Sequence, residues 1–385
     1  MKAVERAKER NPLAFVFLAF AAYAAVLGGF LSRLPDIQLR LELSNSELGM
    51  ILLGVPIGIV GGSIFFSGFI ERMGAKKASG MFTFLFCLCP VLSGMAGSGW
   101  ALAIFLVVQG VMLSLANVSV NVLALQWEKA KSRRVLNRCH GIWSLTLLGA
   151  SLTGAGMVGF GVDFRVQFAC TFVLAAGLLL PAYVSDPMEL SSAGSRPAPL
   201  VLPTRGVLQI VAYASATVMV EGITRNWGII YLRDSLGATA QIAALGLPVV
   251  ILSQAAGRLV ADPLIEKHGV ALVATSMIVV CAFGCLLLAG ATGPWAGLAG
   301  ILLIGLGVSV AHPQSVAASA AIGDRPASEN VAAFSTIQTL LVYCAPSLFG
   351  LLSGTFGLRF AMLGMVPLVL STLYFVPAIA SRRSG

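Results

Sequence analysis

Charge is what this sequence has least of. Only 11% of its 385 residues are Asp, Glu, Lys or Arg, against about a quarter in soluble proteins. So few charges cannot coat a globule of this size. With 57% hydrophobic residues and a mean hydropathy of +0.90, the solvent around most of the chain must be lipid. Catalytic motifs are missing too. There is no Walker-type Gly-rich loop, no zinc spacing and no nucleophile elbow, so no enzyme and no cofactor are expected. No soluble domain is present to hold ATP. The net charge of +9 is not a nucleic-acid footprint, because no basic run with interleaved aromatics exists. The seven cysteines are an odd number, and nearly all fall inside apolar runs. Cys87-x-Cys89 and Cys281-x3-Cys285 lack a second pair or a histidine at zinc-site spacing. They read as small packing residues.

In place of charge there are long apolar runs. A membrane helix needs roughly 20 apolar residues, and twelve runs qualify: 12–32, 47–70, 77–97, 100–127, 137–160, 165–184, 206–231, 239–261, 270–291, 294–321, 331–353 and 358–380. They are continuously apolar rather than alternating, which rules out a closed β-barrel. Most carry glycine, which lets membrane helices approach closely. The expected class is therefore an all-α integral membrane protein with twelve transmembrane helices. The charged stretch from Lys2 to Arg10 ahead of the first run could pass for a signal-peptide start. It has no cleavage site and more spans follow, so it reads as the approach to the first helix. With the N-terminus placed inside, 19 of the 25 Lys and Arg fall on the inner side, five on the outer side, and Arg225 lies within a span. Basic residues mark the cytoplasmic face, so both termini are expected in the cytoplasm. Residues 185–205 are rich in Pro, Ser and Gly and read as a flexible cytoplasmic linker. They divide the chain into an N-terminal six-helix bundle, 1–184, and a C-terminal one, 206–385.

The two bundles are related by a repeat. Glu71-Arg72-x-Gly74 recurs as Glu266-Lys267-x-Gly269, an offset of 195 residues. The same offset pairs Trp100 with Trp295, Gly110 with Gly305 and Ser114 with Ser309. Parallel halves related by an axis along the membrane normal are a transporter architecture.

The stretch Gly68-Phe-Ile-Glu71-Arg72-Met-Gly74-Ala-Lys76-Lys77 resembles the charged loop between the second and third helices of the major facilitator superfamily. Gly257-Arg258 through Asp262, Glu266 and Lys267 is similar to its second-half copy. A narrower likeness is to the bacterial branch of fucose-permease-like and YbjJ-like transporters. It rests on Ser32-Arg33-Leu-Pro35-Asp36, His140-Gly-Ile-Trp143-Ser144 and Glu221-Gly-Ile-Thr-Arg225-Asn226-Trp227. The resemblance implies two pseudo-symmetric six-helix bundles in a bacterial cytoplasmic (inner) membrane. It further implies secondary transport of a small organic solute by alternating access, with the lipid bilayer, the solute and protons as partners and a monomeric state. The chain departs from the branch at Asn117 and Asn226, where that group often carries Asp. The fifth span also lacks the Gly-Pro pair of many drug exporters; its Gly149, Gly154 and Gly156 have no proline among them.

Candidate residues follow from the cost of charge in lipid. Glu221 and Arg225 are four apart in the seventh span and share a helix face. Charges there line a cavity or pair with one another. Glu221 is the first candidate proton carrier; its protonation would free Arg225 for an anionic or polar solute. A permanent ion pair steadying an interrupted helix is the competing reading. His312, beside the helix-breaking Pro313, is the second candidate carrier, since histidine titrates near neutral pH. Its repeat mate is Asn117. Asn117, Asn121, Arg225, Asn226, Trp227 and Gln314 are the candidate solute-binding residues. Trp143 and Trp227 could stack on a solute, although single aromatics more often pack or sit at the interface, and His140 reads as interfacial. Tyr23, Gln109, Gln254, Gln338 and Tyr343 are polar groups in spans that helix phase alone does not assign. Gly68, Glu71, Arg72, Gly74, Lys76 and Lys77, with Asp262, Glu266 and Lys267, are expected to gate: Gly74 permits a tight turn, and Glu71 can accept from a helix N-terminus or an Arg. Export of a toxic or specialised metabolite, uncoupled facilitation and a non-transporting sensor are the alternatives.

Overall fold

The structure is a computed structural model and describes residues 13–185 and 201–380. The basic stretch Lys2 to Arg10, linker residues 186–200, and Arg382 and Arg383 lie outside the described residues. What is described is helical, with no strand among those residues. This is the outcome lipid requires, because a backbone surrounded by hydrocarbon must satisfy its own hydrogen bonds.

Among the described residues, twelve helices are long and apolar enough to cross a membrane: α1 (Ala14–Ser32), α2 (Asn45–Phe66), α3 (Ala75–Gly94), α4 (Gly99–Lys131), α5 (Leu136–Gly159), α6 (Phe164–Val184), α7 (Arg205–Leu236), α8 (Ala240–His268), α9 (Val270–Gly290), α10 (Pro294–Ala320), α11 (Ala327–Phe356) and α12 (Leu358–Phe375). Hydroxyl caps open several of them. Ser98 accepts from the Ala101 amide, Thr204 from that of Val207 and Thr239 from that of Ile242, each meeting one of the orphan donors at a helix start. At α2, Ser44 and Glu47 bond reciprocally. Ser44 N donates to Glu47 Oε2 at 2.9 Å and Glu47 N donates to Ser44 Oγ at 3.2 Å, a capping box. The second expected span ends earlier than its hydropathy suggests. Its helix loosens into a π turn at Gly62–Phe66 and restarts as a short helix, Ser67–Met73.

The repeat seen in sequence is also a repeat of geometry within each half. Gly74 stands at φ 79°, ψ 149° and Gly269 at φ 81°, ψ 157°, a region essentially closed to any residue with a Cβ. Each ends one helix and starts the next. One turn before each, Ile70 and Ile265 are buried; in the second half Ile265 packs with Ala261, Val273 and Val310. The crossing of the second and fourth helices is built alike as well. A Cβ on Gly110 would lie 2.1 Å from Val55 O, and one on Gly305 would lie 2.8 Å from Val250 O. Gly62 faces Ser114, and Gly257 faces Ser309. Every one of these pairs is displaced by the same 195 residues.

By packing, the described chain falls into two units. One holds residues up to Ile37 and those from Leu53 through α6. The other takes the rest and also Gln38–Leu52. That stretch docks on α11 through small residues. A Cβ on Gly49 would meet Gly350 Cα at 2.8 Å, and one on Gly354 would run into Ser46. Gly350-x3-Gly354 is the small-x3-small spacing by which membrane helices approach closely. Gln38 extends the contact: its Nε2 donates to Asn45 Oδ1 and its Oε1 accepts from Arg233 Nη2, each at 3.0 Å.

Candidate functional site

Four helices of the second unit bring ionisable and amide groups together. Glu221 and Arg225, one turn apart on α7, form an ion pair with Arg225 Nη2 2.7 Å from Glu221 Oε1. The same Nη2 donates to Gln254 Oε1 on α8 at 2.6 Å. Arg258, one turn beyond Gln254 on the same face of α8, is exposed and within Coulombic reach of both Glu221 and Arg225. His312 on α10 is close enough to act electrostatically on Glu221. Its Nδ1 is 2.8 Å from Gln338 Oε1 on α11, and its ring lies 6.2 Å from that of Phe334, centroid to centroid. The kink that presents His312 is local chemistry: α10 interrupts its regular helix at Ser309–Val310 and restarts at Ala311, and Pro313 has no amide to give an uninterrupted ladder.

The hydrogen bonding of this cluster is incomplete. Gln254 and Gln338 are 3% and 6% exposed; the Gln254 amide is directed to Glu221, while Gln338 Nε2 and Arg225 Nε have no partner. A buried donor without an acceptor costs about 1–3 kcal/mol. Structures retain such a cost where a ligand or a second conformation relieves it.

The other sequence candidates are placed as follows. In the first unit, Asn117 and Asn121 bond to each other, with Asn121 Nδ2 at 2.8 Å from Asn117 O and 3.0 Å from its Oδ1. Asn226 is turned onto its own helix, donating to Gly222 O at 2.8 Å. Trp227 is fully buried; its Nε1 donates to Pro346 O at 2.8 Å and its ring packs on Phe349. These contacts make it a packing residue joining α7 to α11, and it does not stand in the cluster. Gln314 is buried, two residues after His312 and so on a different face of α10. Of the gate candidates, Gly68, Glu71, Arg72, Lys77, Asp262, Glu266 and Lys267 are exposed, and Lys76 lies over the Tyr183 ring at 5.3 Å. Among the described residues Glu71 joins no ion pair.

Sequence reasoning left Gln254 and Gln338 unassigned and read Arg258 only as part of the second-half copy of the charged loop. The structure puts Arg258 within α8. The available signal was its spacing of four from Gln254, which makes the two cofacial.

Arg33 entered the sequence reading as part of the motif Ser32-Arg33-Leu-Pro35-Asp36, with no contact assigned to it. It is 2% exposed and ties α1 to the start of α6. Its Nε donates to Gln167 Oε1, its Nη2 to Val162 O at 2.9 Å, and its Nη1 pairs with Asp36 at 3.2 Å.

No family model matches the sequence. The chain is similar over most of its length to two curated proteins. One, named an uncharacterized transporter, y4wD, of Sinorhizobium fredii, is 28% identical over 94% of this chain and 97% of its own. The other, named an uncharacterized MFS-type transporter of Yersinia pestis, is 24% identical over 92% of each. Among solved structures, the nucleoside transporter NupG superposes with a TM-score of 0.74 over 96% of this chain and 98% of its own, at 12% identity. The chain has the major facilitator fold. Its relatives and structural neighbours are transporters, not enzymes. Likeness at 12% identity carries the fold and nothing finer, so the narrower resemblance to the fucose-permease-like branch rests on the motifs alone. Within the major facilitator fold, the cluster on α7, α8, α10 and α11 belongs wholly to the second half.

Proposed function

We propose that the chain is a proton-coupled secondary transporter that moves a small organic solute across a bacterial cytoplasmic membrane. It acts as a monomer with both termini inside. The observation that carries this reading is the Glu221–Arg225 pair, 2.7 Å apart within a membrane span and bridged to α8 by Gln254. An ion pair there is costly to keep unless it changes state during the working cycle. Protonation of Glu221 removes the charge that holds Arg225 and releases its guanidinium to a solute; loss of the proton restores the pair. His312, hydrogen-bonded to Gln338, is the second group able to take up a proton. The charged turns at Gly74 and Gly269 are the gates between the third and second, and ninth and eighth, helices. Alternation between the two halves then exposes the site to each side in turn.

The test is Glu221→Gln in the purified full-length protein reconstituted in liposomes. We expect pH-driven accumulation to be abolished while solute counterflow persists, because Gln keeps the shape and loses the proton. Unchanged accumulation removes Glu221 as the carrier. A second reading, uncoupled facilitation, is favoured by Asn117 and Asn226, which stand where related transporters often carry Asp. It predicts wild-type flux with no dependence on a pH gradient.

A further inference from the structure

We propose that the solute is an organic anion, a small carboxylate, and that Arg258 is the residue that selects it. This rests on the reading of the second-half cluster as the transport site. The cluster does not balance. It contains one carboxylate, Glu221, and two guanidiniums, Arg225 and Arg258, with His312 beside them. Glu221 is already paired with Arg225. Among the described residues Arg258 forms no ion pair, with Glu221 or with Asp262 one turn further along α8, so its charge has no carboxylate of its own.

The hydrogen-bond mismatch has the same sign. Its amide and guanidinium vacancies are both donors: Gln338 Nε2 and Arg225 Nε. The acceptor ends of both glutamines are taken, one by Arg225 and one by His312. A neutral solute could meet the donors but not the excess charge, and a cation would meet neither. A carboxylate meets both, because it accepts at two oxygens and is recognised in a fork by guanidinium. Gln254 and Arg258 lie one turn apart on one face of α8, so a single bound group can reach from the first to the second. At the positions 195 residues earlier the chain has Ile59 and Ser63, so the first half offers no matching charge.

The same arrangement gives Glu221 a second task. It competes with the solute for Arg225, which ties the arrival of an anion to the protonation of Glu221.

The experiment measures binding by thermal shift on the purified full-length protein. The probes are matched pairs: lactate and lactamide, gluconate and glucitol, benzoate and benzamide. Wild type is expected to be stabilised by one or more carboxylates and not by the neutral partner of each. Arg258→Gln is expected to weaken that binding at least about tenfold, the order for losing a hydrogen bond to a charged group, with Arg258→Lys falling between. Glu221→Gln is expected to keep or tighten it. A neutral partner binding as well as its carboxylate overturns the proposal, as does a panel in which no carboxylate binds. Unchanged affinity in Arg258→Gln overturns the assignment of Arg258. Circular dichroism and unliganded melting of each variant separate misfolding from loss of the site. The assay needs no pH gradient, so carboxylate selectivity can fail while proton coupling stands, and the reverse.

Discussion

The two halves of this protein share their joints and differ in their chemistry. Gly74 and Gly269 adopt the same left-handed turn, and Gly110 and Gly305 make the same close approach to a carbonyl. Yet the positions matching Glu221, Arg225, Gln254 and Arg258 are Val26, Phe30, Ile59 and Ser63. Asn117 answers His312, and Ser63 answers Arg258, with a neutral polar group. In the first half Ser63 Oγ bonds Ser114 Oγ at 2.9 Å, in the place where the second half has Arg258 and Ser309. A duplicated membrane protein can thus hold its helix crossings fixed, since those depend on glycine and backbone, while the Glu–Arg cluster belongs to one copy. Each buried charge needs a partner: Glu221 and Arg225 supply one another in the second half, as Arg33 and Asp36 do in the first.

The largest expected effect that tests this comparison is at the crossings. Gly110→Ala puts a methyl 2.1 Å from a backbone carbonyl that cannot rotate away. Gly305→Ala first meets the Ser253 hydroxyl, which can turn, and a carbonyl only at 2.8 Å. Overpacking costs about 1–3 kcal/mol. Gly110→Ala should fall at or above the top of that range and Gly305→Ala near the bottom, read as melting temperature in detergent. The reverse order would break the claim that the crossings are built alike but tightened in the first half.

Next come the turns. Gly74→Ala and Gly269→Ala each force a Cβ into a glycine-only conformation, at about 1–3 kcal/mol. Because the φ values differ by so little, the two losses should match. Unequal losses in denaturant unfolding would show that the neighbours, not the backbone, set the cost.

The smallest effect concerns the loops after the fourth helix of each half, both closed by a carboxylate. Glu128 accepts from the amides of Val135 and Leu136. Asp324 accepts from Asn330 Nδ2 at 2.7 Å, and that bond holds its carboxyl below the ordinary value. A depressed folded value means that the contribution is complete above the unfolded value of about 3.9 and fades as pH falls through the folded one. Asp324→Asn should therefore lower melting slightly at neutral pH and flatten its acid limb. An acid limb of unchanged slope would assign it to other groups.

Much of the scaffold was legible because membrane helices announce themselves locally. Apolar length fixes a span, and glycine beside charge fixes a turn. Glu221 and Arg225 were legible for the same reason, as charges where lipid forbids them. The partners were not. That Gln254 holds Arg225, or that Gln338 holds His312, depends on which face of one helix meets which face of another, and uniformly apolar spans carry little phase. Trp227 shows the limit from the other side: an aromatic beside two charges looked ready to meet a solute, while its indole is spent on Pro346. The capping box of Ser44 and Glu47 was written in the sequence as Ser-x-x-Glu. The docking of that helix start on α11 was not, because contact between residues about 300 apart leaves no local trace.

Gln38–Leu52 has a consequence for biosynthesis. It is translated early but housed by α11, which begins at Ala327. At the usual pace of synthesis, about 5–20 residues per second, the ribosome needs tens of seconds to deliver that partner. Through this interval Ser46 and Gly49 present an open notch in the bilayer, available to any passing helix with small residues at the right spacing. A gene split at the linker would make the wait indefinite. The first fragment alone should be a substrate for membrane quality control, and co-expression of the second should rescue it.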